Sequence, residues 1–239
     1  MLASKNGIKA IFFDLDGTLR HSTPPVSDVS KEKLSEWGIQ ISDEENNNVG
    51  RWEHYYWAQS PELMADAEKF DGDDKAFWQN YMSMRLKKMN LEPTEIERIL
   101  PLLNSFFAEE YAPKNCAPPE IYELLPQFRA AGYTLAVLSN RRSPFDDIMD
   151  ELSLTEHFDA VMFAGEVGSW KPNPEVFTPL LERFGLAPEE TLYVGDNYYA
   201  DVVGSRKAGL VPVLYDPRGL FLDADCTRIT SFNALSEIL

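Results

Sequence analysis

Asp14 and Asp16 are the residues whose types and spacing first suggest chemistry. They close the stretch IKAIFFDLDGTL, Ile8 to Leu19, in which bulky apolar residues give way to two carboxylates and a glycine. In an extended chain, side chains at i and i+2 project to the same side. Two ionised carboxylates held close at the end of a buried segment repel unless a cation joins them or one keeps its proton. The stretch therefore reads as a buried strand delivering charge to a site. Gly17 allows the backbone to turn sharply, Thr18 offers a hydroxyl to bond the loop, and Leu19 anchors it back in the core.

The elements that must hold these groups follow from patterning. Ile8 to Phe13 is nearly continuous in bulky apolar residues, as expected of a strand covered on both faces. From Ser22 to about Ala112 strand signals are sparse. HSTPPVSD reads as a hinge, with Asp28 or Ser30 available to cap a helix. Helices are expected near Lys31–Trp37, Asn48–Gln59, Glu62–Phe70, Lys75–Met89 and Thr94–Tyr111, separated by turn material such as SDEENNN and FDGDD. After Pro113 strands and helices alternate. Helices are expected at Glu120–Ala131, Pro144–Leu152, Pro174–Phe184 and Ala200–Ala208, and strands at Tyr133–Leu138, Ala160–Ala164, Thr191–Val194 and Val211–Tyr215. Such alternation implies an α/β fold with a doubly wound, mostly parallel, Rossmann-like sheet and right-handed crossovers. Residues 1–21 and 113–239 would form this core, and residues 22–112 an all-helical insert. Ligands of such sheets lie beyond the strands' carboxyl ends, where Asp14, Ser139 and Asp196 all fall.

Composition bounds the partners. The chain has 239 residues and a formal net charge of −17, which argues against nucleic acid or an anionic membrane surface. An anionic small molecule needs a local positive site to offset that field. Cys116 and Cys226 stand far apart and in no metal-ligand spacing, so free thiols, buried as small hydrophobes, in a reducing compartment are expected. The amino-terminal MLASKNGIK lacks the apolar core of a signal peptide, and no apolar run approaches a membrane span. These features point to a cytoplasmic protein, with a monomer plausible.

Four motifs in order give the chain a resemblance to the haloacid dehalogenase superfamily, in its phosphatase branch: DLDGT at Asp14–Thr18, the Ser139–Asn140 pair after an apolar strand, Lys171 in KPNPEVF, and GDNYYAD at Gly195–Asp201. The insert lies between the first and second motifs, where one class of this superfamily carries its helical cap. The resemblance implies Mg2+-dependent hydrolysis of a small phosphorylated metabolite. Such a reaction asks the protein mainly for positioning and charge neutralisation, and a carboxylate nucleophile splits it into formation and breakdown of an acyl phosphate. On this reading Asp14 attacks phosphorus, and Asp16 protonates the leaving oxygen and later activates water. Lys171 stabilises phosphate charge and holds Asp14 ionised. Ser139 binds phosphoryl oxygens, and Thr18 supports the loop or assists them. Asp14, Asp196 and the backbone carbonyl of Asp16 hold the metal, while Asp201 orients a metal-bound water or Lys171.

Arg20 and His21 follow the first motif where many relatives carry an acidic or small residue, so Arg20 could bind a second anionic group of the substrate. Asn140, Arg141 and Arg142 follow the second motif, with one arginine available to the phosphate or leaving group. Trp170 walls the pocket or packs its loop. In the insert, RWEHYYW places Trp52 and Tyr56 on one helical face and His54 and Trp57 near another, which reads as bundle core or, as the alternative, lining of the substrate pocket. A sugar phosphomutase shares all four motifs. A dehalogenase is disfavoured by Asp16, a phosphonate hydrolase has no lysine singled out in the insert, and a non-catalytic binding module is disfavoured by the intact carboxylates and Lys171.

Overall fold

The computed structural model describes residues 7–239. Residues up to His21 together with Asn115–Leu239 form one compact unit, and Ser22–Lys114 form another.

The first unit is built on strands β1 (Ala10–Phe13), β4 (Thr134–Ser139), β5 (Ala160–Phe163), β6 (Thr191–Gly195), β7 (Val211–Tyr215) and β8 (Thr227–Ile229). They form one six-stranded parallel sheet in the order β5-β4-β1-β6-β7-β8. The expected α/β class is therefore the observed one. All four residues of β1 are fully buried, because each face of the sheet carries its own apolar layer. Ile11, Phe13, Val137 and Val194 point into one layer, and Ala10, Phe12, Leu138 and Tyr193 into the other. This alternation is what a two-sided strand requires. Helices α6 (Ile121–Ala130), α7 (Asp146–Glu151), α8 (Ala164–Val167), α9 (Thr178–Phe184), α10 (Val203–Lys207) and α11 (Leu235–Ile238) belong to the same unit.

Strand β1 lies between β4 and β6, so the strand order reverses about it. Phe13 pairs with Val137 on one side and Val194 on the other. The register therefore brings Asp14, Ser139 and Asp196 to the same end of three adjacent strands. This is the switch point at which open α/β sheets hold their ligands.

The second unit contains α1 (Val26–Glu36), α2 (Asp43–Trp57), α3 (Pro61–Lys69), α4 (Asp74–Lys88) and α5 (Pro93–Glu109). Leu34, Val49, Leu86, Ile99 and Leu103 centre its core. Tyr56, Tyr81 and Leu63 form a second cluster, against which Trp52, Trp57 and Phe77 pack. Trp57 thus joins the same aromatic group as Trp52 and Tyr56. Arg85 is buried in this unit, with Nε 2.6 Å from a Glu53 oxygen and Nη1 donating to Ser30 at 3.1 Å.

Several local expectations are corrected. SDEENNN is no turn: Ser42 and Glu45 form a capping box that starts α2 at Asp43. The first helix begins at Val26, so Asp28 lies in its first turn, where negative charge is favoured, and caps nothing. HSTPPVSD contains a short strand, β2 (His21–Thr23), which pairs with β3 (Lys114–Cys116) in a two-stranded sheet. The expected helix at Pro174–Phe184 divides into a tight turn at Pro174–Phe177 and α9, and that at Ala200–Ala208 into a wide π-type turn at Tyr198–Val202 and α10. Cys116 and Cys226 are free thiols but only partly buried. No helix among the described residues is long and apolar enough to cross a membrane.

Candidate active site

Asp14 emerges from β1 still tied to the sheet, its N–H donating to the Val194 carbonyl at 2.9 Å. Its side chain turns inward, and Lys171 Nζ donates to Oδ1 at 2.6 Å. The same ammonium donates to Asp201 Oδ1 at 2.7 Å and to the Tyr193 hydroxyl at 2.8 Å, with the Leu138 carbonyl at 3.3 Å. An ammonium has three protons, so Asp14, Asp201 and Tyr193 account for all of them. The Tyr193 hydroxyl donates in turn to the Leu138 carbonyl at 2.8 Å. Burial raises the Tyr193 phenol far above its ordinary range, which keeps that proton in place.

The loop that carries Lys171 is held by Asn140. The Asn140 amide donates to the Lys171 carbonyl at 2.9 Å and accepts from the Lys171 N–H at 2.8 Å. Asn140 therefore positions Lys171 by its backbone, and its amide is committed to that loop. Ser139, which is buried, accepts from the Arg141 N–H at 3.3 Å. Trp170 packs against the apolar layer under the loop. Arg142 supplies a backbone carbonyl that lies against Gly165.

On the other flank, Thr18 is fully buried and couples the first motif to the fourth. Its hydroxyl accepts from the Asp196 N–H at 3.0 Å and donates to Asp196 Oδ1 at 3.3 Å. Gly17 has φ +89°, and a Cβ there would lie 2.3 Å from Asp196 Oδ2. Gly195 is similarly tight: a Cβ would meet the Asp201 carboxylate at 2.3 Å. Only glycine lets these loops approach so closely. Asp201 itself is locked, with Oδ1 on Lys171 and Oδ2 accepting from the Asn197 N–H at 2.8 Å.

Asp16 goes elsewhere. Arg141 grips it with both prongs, Nε to Oδ2 at 2.7 Å and Nη2 to Oδ1 at 2.8 Å, and Arg20 Nη1 adds a contact to Oδ1 at 3.2 Å. The crowding expected between Asp14 and Asp16 is thus relieved by separate counter-ions, an ammonium for one and guanidiniums for the other. The side chains that bond Asp16 are arginines, Arg20 being turned back toward it by the bond from Gly17 N–H to the Arg20 carbonyl, 2.8 Å.

Charge sets the site's demand for a cation. Asp14, Asp196 and Asp201 each present an oxygen within 4.8 Å of the other two. When ionised, the three carboxylates outweigh the one ammonium of Lys171 by two charges, which a divalent cation cancels. Burial, together with the field of Asp201, raises the Asp14 carboxyl to about 7 despite the opposing pull of Lys171. Burial and the charges of Asp14 and Asp201 raise Asp196 as well. Burial disfavours the charge on Lys171, but Asp14 and Asp201 outweigh it and hold the ammonium well above its usual range. An all-oxygen donor set carrying unbalanced negative charge suits a hard ion such as Mg2+.

A parallel, Rossmann-like sheet that gathers three carboxylates and a buried lysine at its switch point defines an enzyme core. The chain belongs to the haloacid dehalogenase-like hydrolase family, whose model matches residues 8–209. It is 40% identical to a phosphoserine phosphatase of Thermus thermophilus over 128 residues, which span 52% of this chain and 49% of that protein. It is 26% identical to a phosphoglycolate phosphatase of Salmonella typhi over 204 residues, 84% of this chain and 79% of that protein. Among solved structures, its fold resembles a predicted phosphoglycolate phosphatase from Haemophilus somnus, with TM-score 0.60, 22% identity and coverage of 98% of this chain and 99% of that one. It also resembles a 2-haloacid dehalogenase from Pseudomonas syringae, with TM-score 0.54, 24% identity and 97% of each chain covered.

Tyr193 and the backbone clamp made by Asn140 escape a reading of the sequence. The one signal for Tyr193 is a hydroxyl in TLYVG, an otherwise apolar strand that is buried throughout.

Proposed function

We propose that this hydrolase is a Mg2+-dependent phosphatase that cleaves a small phosphomonoester through a phosphorylated Asp14. The observation that carries this reading is the contact from Lys171 to Asp14, 2.6 Å, at the carboxyl end of the central strand, with a second carboxylate two residues on. The ammonium opposes the effect of burial on the Asp14 carboxyl and orients it. Asp14 attacks phosphorus, the bond to the leaving oxygen breaks, and Asp16 gives that oxygen a proton. Asp16 then takes a proton from water, the water oxygen bonds to phosphorus, and the acyl phosphate opens to Asp14 and inorganic phosphate.

Asp14, Asp196 and the Asp16 backbone carbonyl would hold Mg2+, which when bound shields the phosphate from the site's carboxylates. Asp201, with both oxygens committed, holds Lys171. Ser139 lines the phosphoryl pocket, Thr18 ties the first-motif loop to Asp196, Asn140 fixes the Lys171 loop, and Arg20 and Arg141 stand on the leaving-group side with Asp16. Residues 22–112 act as a cap that supplies specificity and excludes water. Asp16 favours phosphatase over dehalogenase chemistry, because only the former uses a proton donor for an oxygen leaving group. The names of the relatives point to small phosphorylated metabolites, and the free thiols Cys116 and Cys226 fit the cytoplasm.

Release of phosphate from p-nitrophenyl phosphate tests the reading. It should require Mg2+, stop with EDTA, resume on adding Mg2+ back, and fall by about three orders of magnitude or more in Asp14→Asn. Full activity in that variant would remove Asp14 as nucleophile. Formation of an isomer in place of inorganic phosphate, in a screen of phosphorylated metabolites, would turn the assignment to a mutase.

A further inference from the structure

Asp16 differs from the other site carboxylates in its company. Asp14 and Asp201 share one sealed ammonium, with side-chain exposures of 8% and 2%, whereas Asp16 has two guanidiniums to itself and is 38% exposed. Arg141 and Arg20 are also open to solvent, at 30% and 25%. Both are held in place independently of Asp16. Arg20 Nε donates to Asn115 Oδ1 at 2.6 Å, Asn115 Nδ2 donates to Glu151 at 2.5 Å, and the Arg141 guanidinium lies 6.0 Å from the centre of the Phe145 ring. Asp147 and Asp14 are the other carboxylates whose fields reach Arg141. The Arg141 fork is filled by two nearly equal contacts, 2.7 and 2.8 Å, the arrangement by which a guanidinium recognises a planar carboxylate.

This pairing is at odds with the work assigned to Asp16. Here it only accepts hydrogen bonds, three of them from arginine, and it is turned to Arg141 rather than to the nucleophile's partners. A general acid must reach the leaving oxygen. We infer that the substrate carries a carboxylate on its leaving group, and that this carboxylate takes the place of Asp16 in the fork of Arg141 and Arg20, freeing Asp16 to take a proton from solvent and pass it to the leaving oxygen. The inference rests on the phosphatase reading above and names its substrate class. Asp16 marks the subsite with its own functional group, and the two arginines supply the local positive charge that a chain of net charge −17 must offer an anionic ligand. Recognition of the leaving group and release of the acid become one event. A neutral leaving group fills the phosphate pocket but leaves Asp16 held.

Substrate pairs that differ in one carboxylate test this: O-phospho-L-serine against O-phosphoethanolamine, and phosphoglycolate against ethyl phosphate. With the Mg2+-loaded wild type, the carboxylated member of each pair should have the higher kcat/KM by about tenfold or more, with part of the advantage in kcat. In Arg141→Gln that ratio should fall toward one; in Arg141→Lys, which keeps charge but not the fork, it should lie between. Circular dichroism checks that the variants fold, and the wild-type ratios decide the matter if they do not. Equal kcat/KM within both pairs, or an undiminished ratio in folded Arg141→Gln, overturns the inference while hydrolysis of p-nitrophenyl phosphate still upholds the phosphatase. Failure to hydrolyse any phosphomonoester, p-nitrophenyl phosphate included, defeats both.

Discussion

Lys171 brings a single positive charge to a place where three carboxylates meet, and nearly all of it is hidden from water. Removing a charge from such a cluster costs more than the lost contacts, because its partners stay buried and unpaired. Lys171→Met should therefore destabilise the metal-free protein by about 3 kcal/mol or more, read as a lower urea midpoint. The double variant with Asp201→Asn should recover part of the loss. No recovery would show that packing, not charge, carries the effect. His21 offers a test by pH. Burial lowers its pKa below the ordinary 6.5, with the Arg20 charge adding to the effect and the bond to the Thr18 carbonyl, 3.0 Å, opposing it. Below pH 6.5 the unfolded chain takes a proton that the folded imidazole refuses. The stability contributed by His21 is thus fully present above 6.5 and is lost progressively as pH falls below it. Asp14, raised to about 7, works in the opposite sense, since the folded state holds its proton more tightly between about 4 and 7. His21→Gln isolates the histidine: its urea midpoint should decline less than that of wild type between pH 7 and 5. Parallel declines would refute the assignment.

At the scale of elements, the site is made by the ends of strands and by loops too tight for side chains. The Gly17 turn lies against Asp196, so Gly17→Ala must push the two apart or twist a residue held at φ +89°. Isothermal titration with Mg2+ should show affinity weakened by about tenfold or more, alongside reduced phosphate release. Unaltered affinity would mean that the turn can shift without disturbing the acidic cluster. The strands that carry the site were legible because burial on both faces leaves a continuous apolar run, and the polar residue that ends each run stands out: Asp14, Ser139 and Asp196. The capping box at Ser42 and Glu45 was also in the sequence, but three asparagines after it read as turn material. Counter-ion choice was not legible. Nothing in DLDGTLRH or SNRR says that Arg20 folds back and that Arg141 reaches across to Asp16, since both depend on loop conformations that only the assembled sheet brings together.

At the scale of the molecule, an acidic chain that acts on anionic substrates must concentrate its few useful cations. Lys171, Arg20 and Arg141 do so around one strand end, with Arg20 more than a hundred residues before the other two in the chain. The sheet order β5-β4-β1-β6-β7-β8 is what makes this economical, since the earliest strand in the chain sits centrally with later ones on both sides. That the core is α/β could be read from the alternation after Pro113. The partnership of β2 with β3 could not, because neither HST nor KNC carries a strand pattern.

That small ribbon has an evolutionary consequence. His21–Thr23 and Lys114–Cys116 are the points where the chain leaves and re-enters the sheet-bearing unit, and they are hydrogen-bonded neighbours. Arg20, just before the ribbon, and Asn115, within it, also touch directly at 2.6 Å. A segment whose two ends meet can be exchanged like a cassette without altering the path of the chain outside it. On the cap reading proposed above, helices exchanged at these two positions would bring new substrate preferences to an unchanged catalytic sheet.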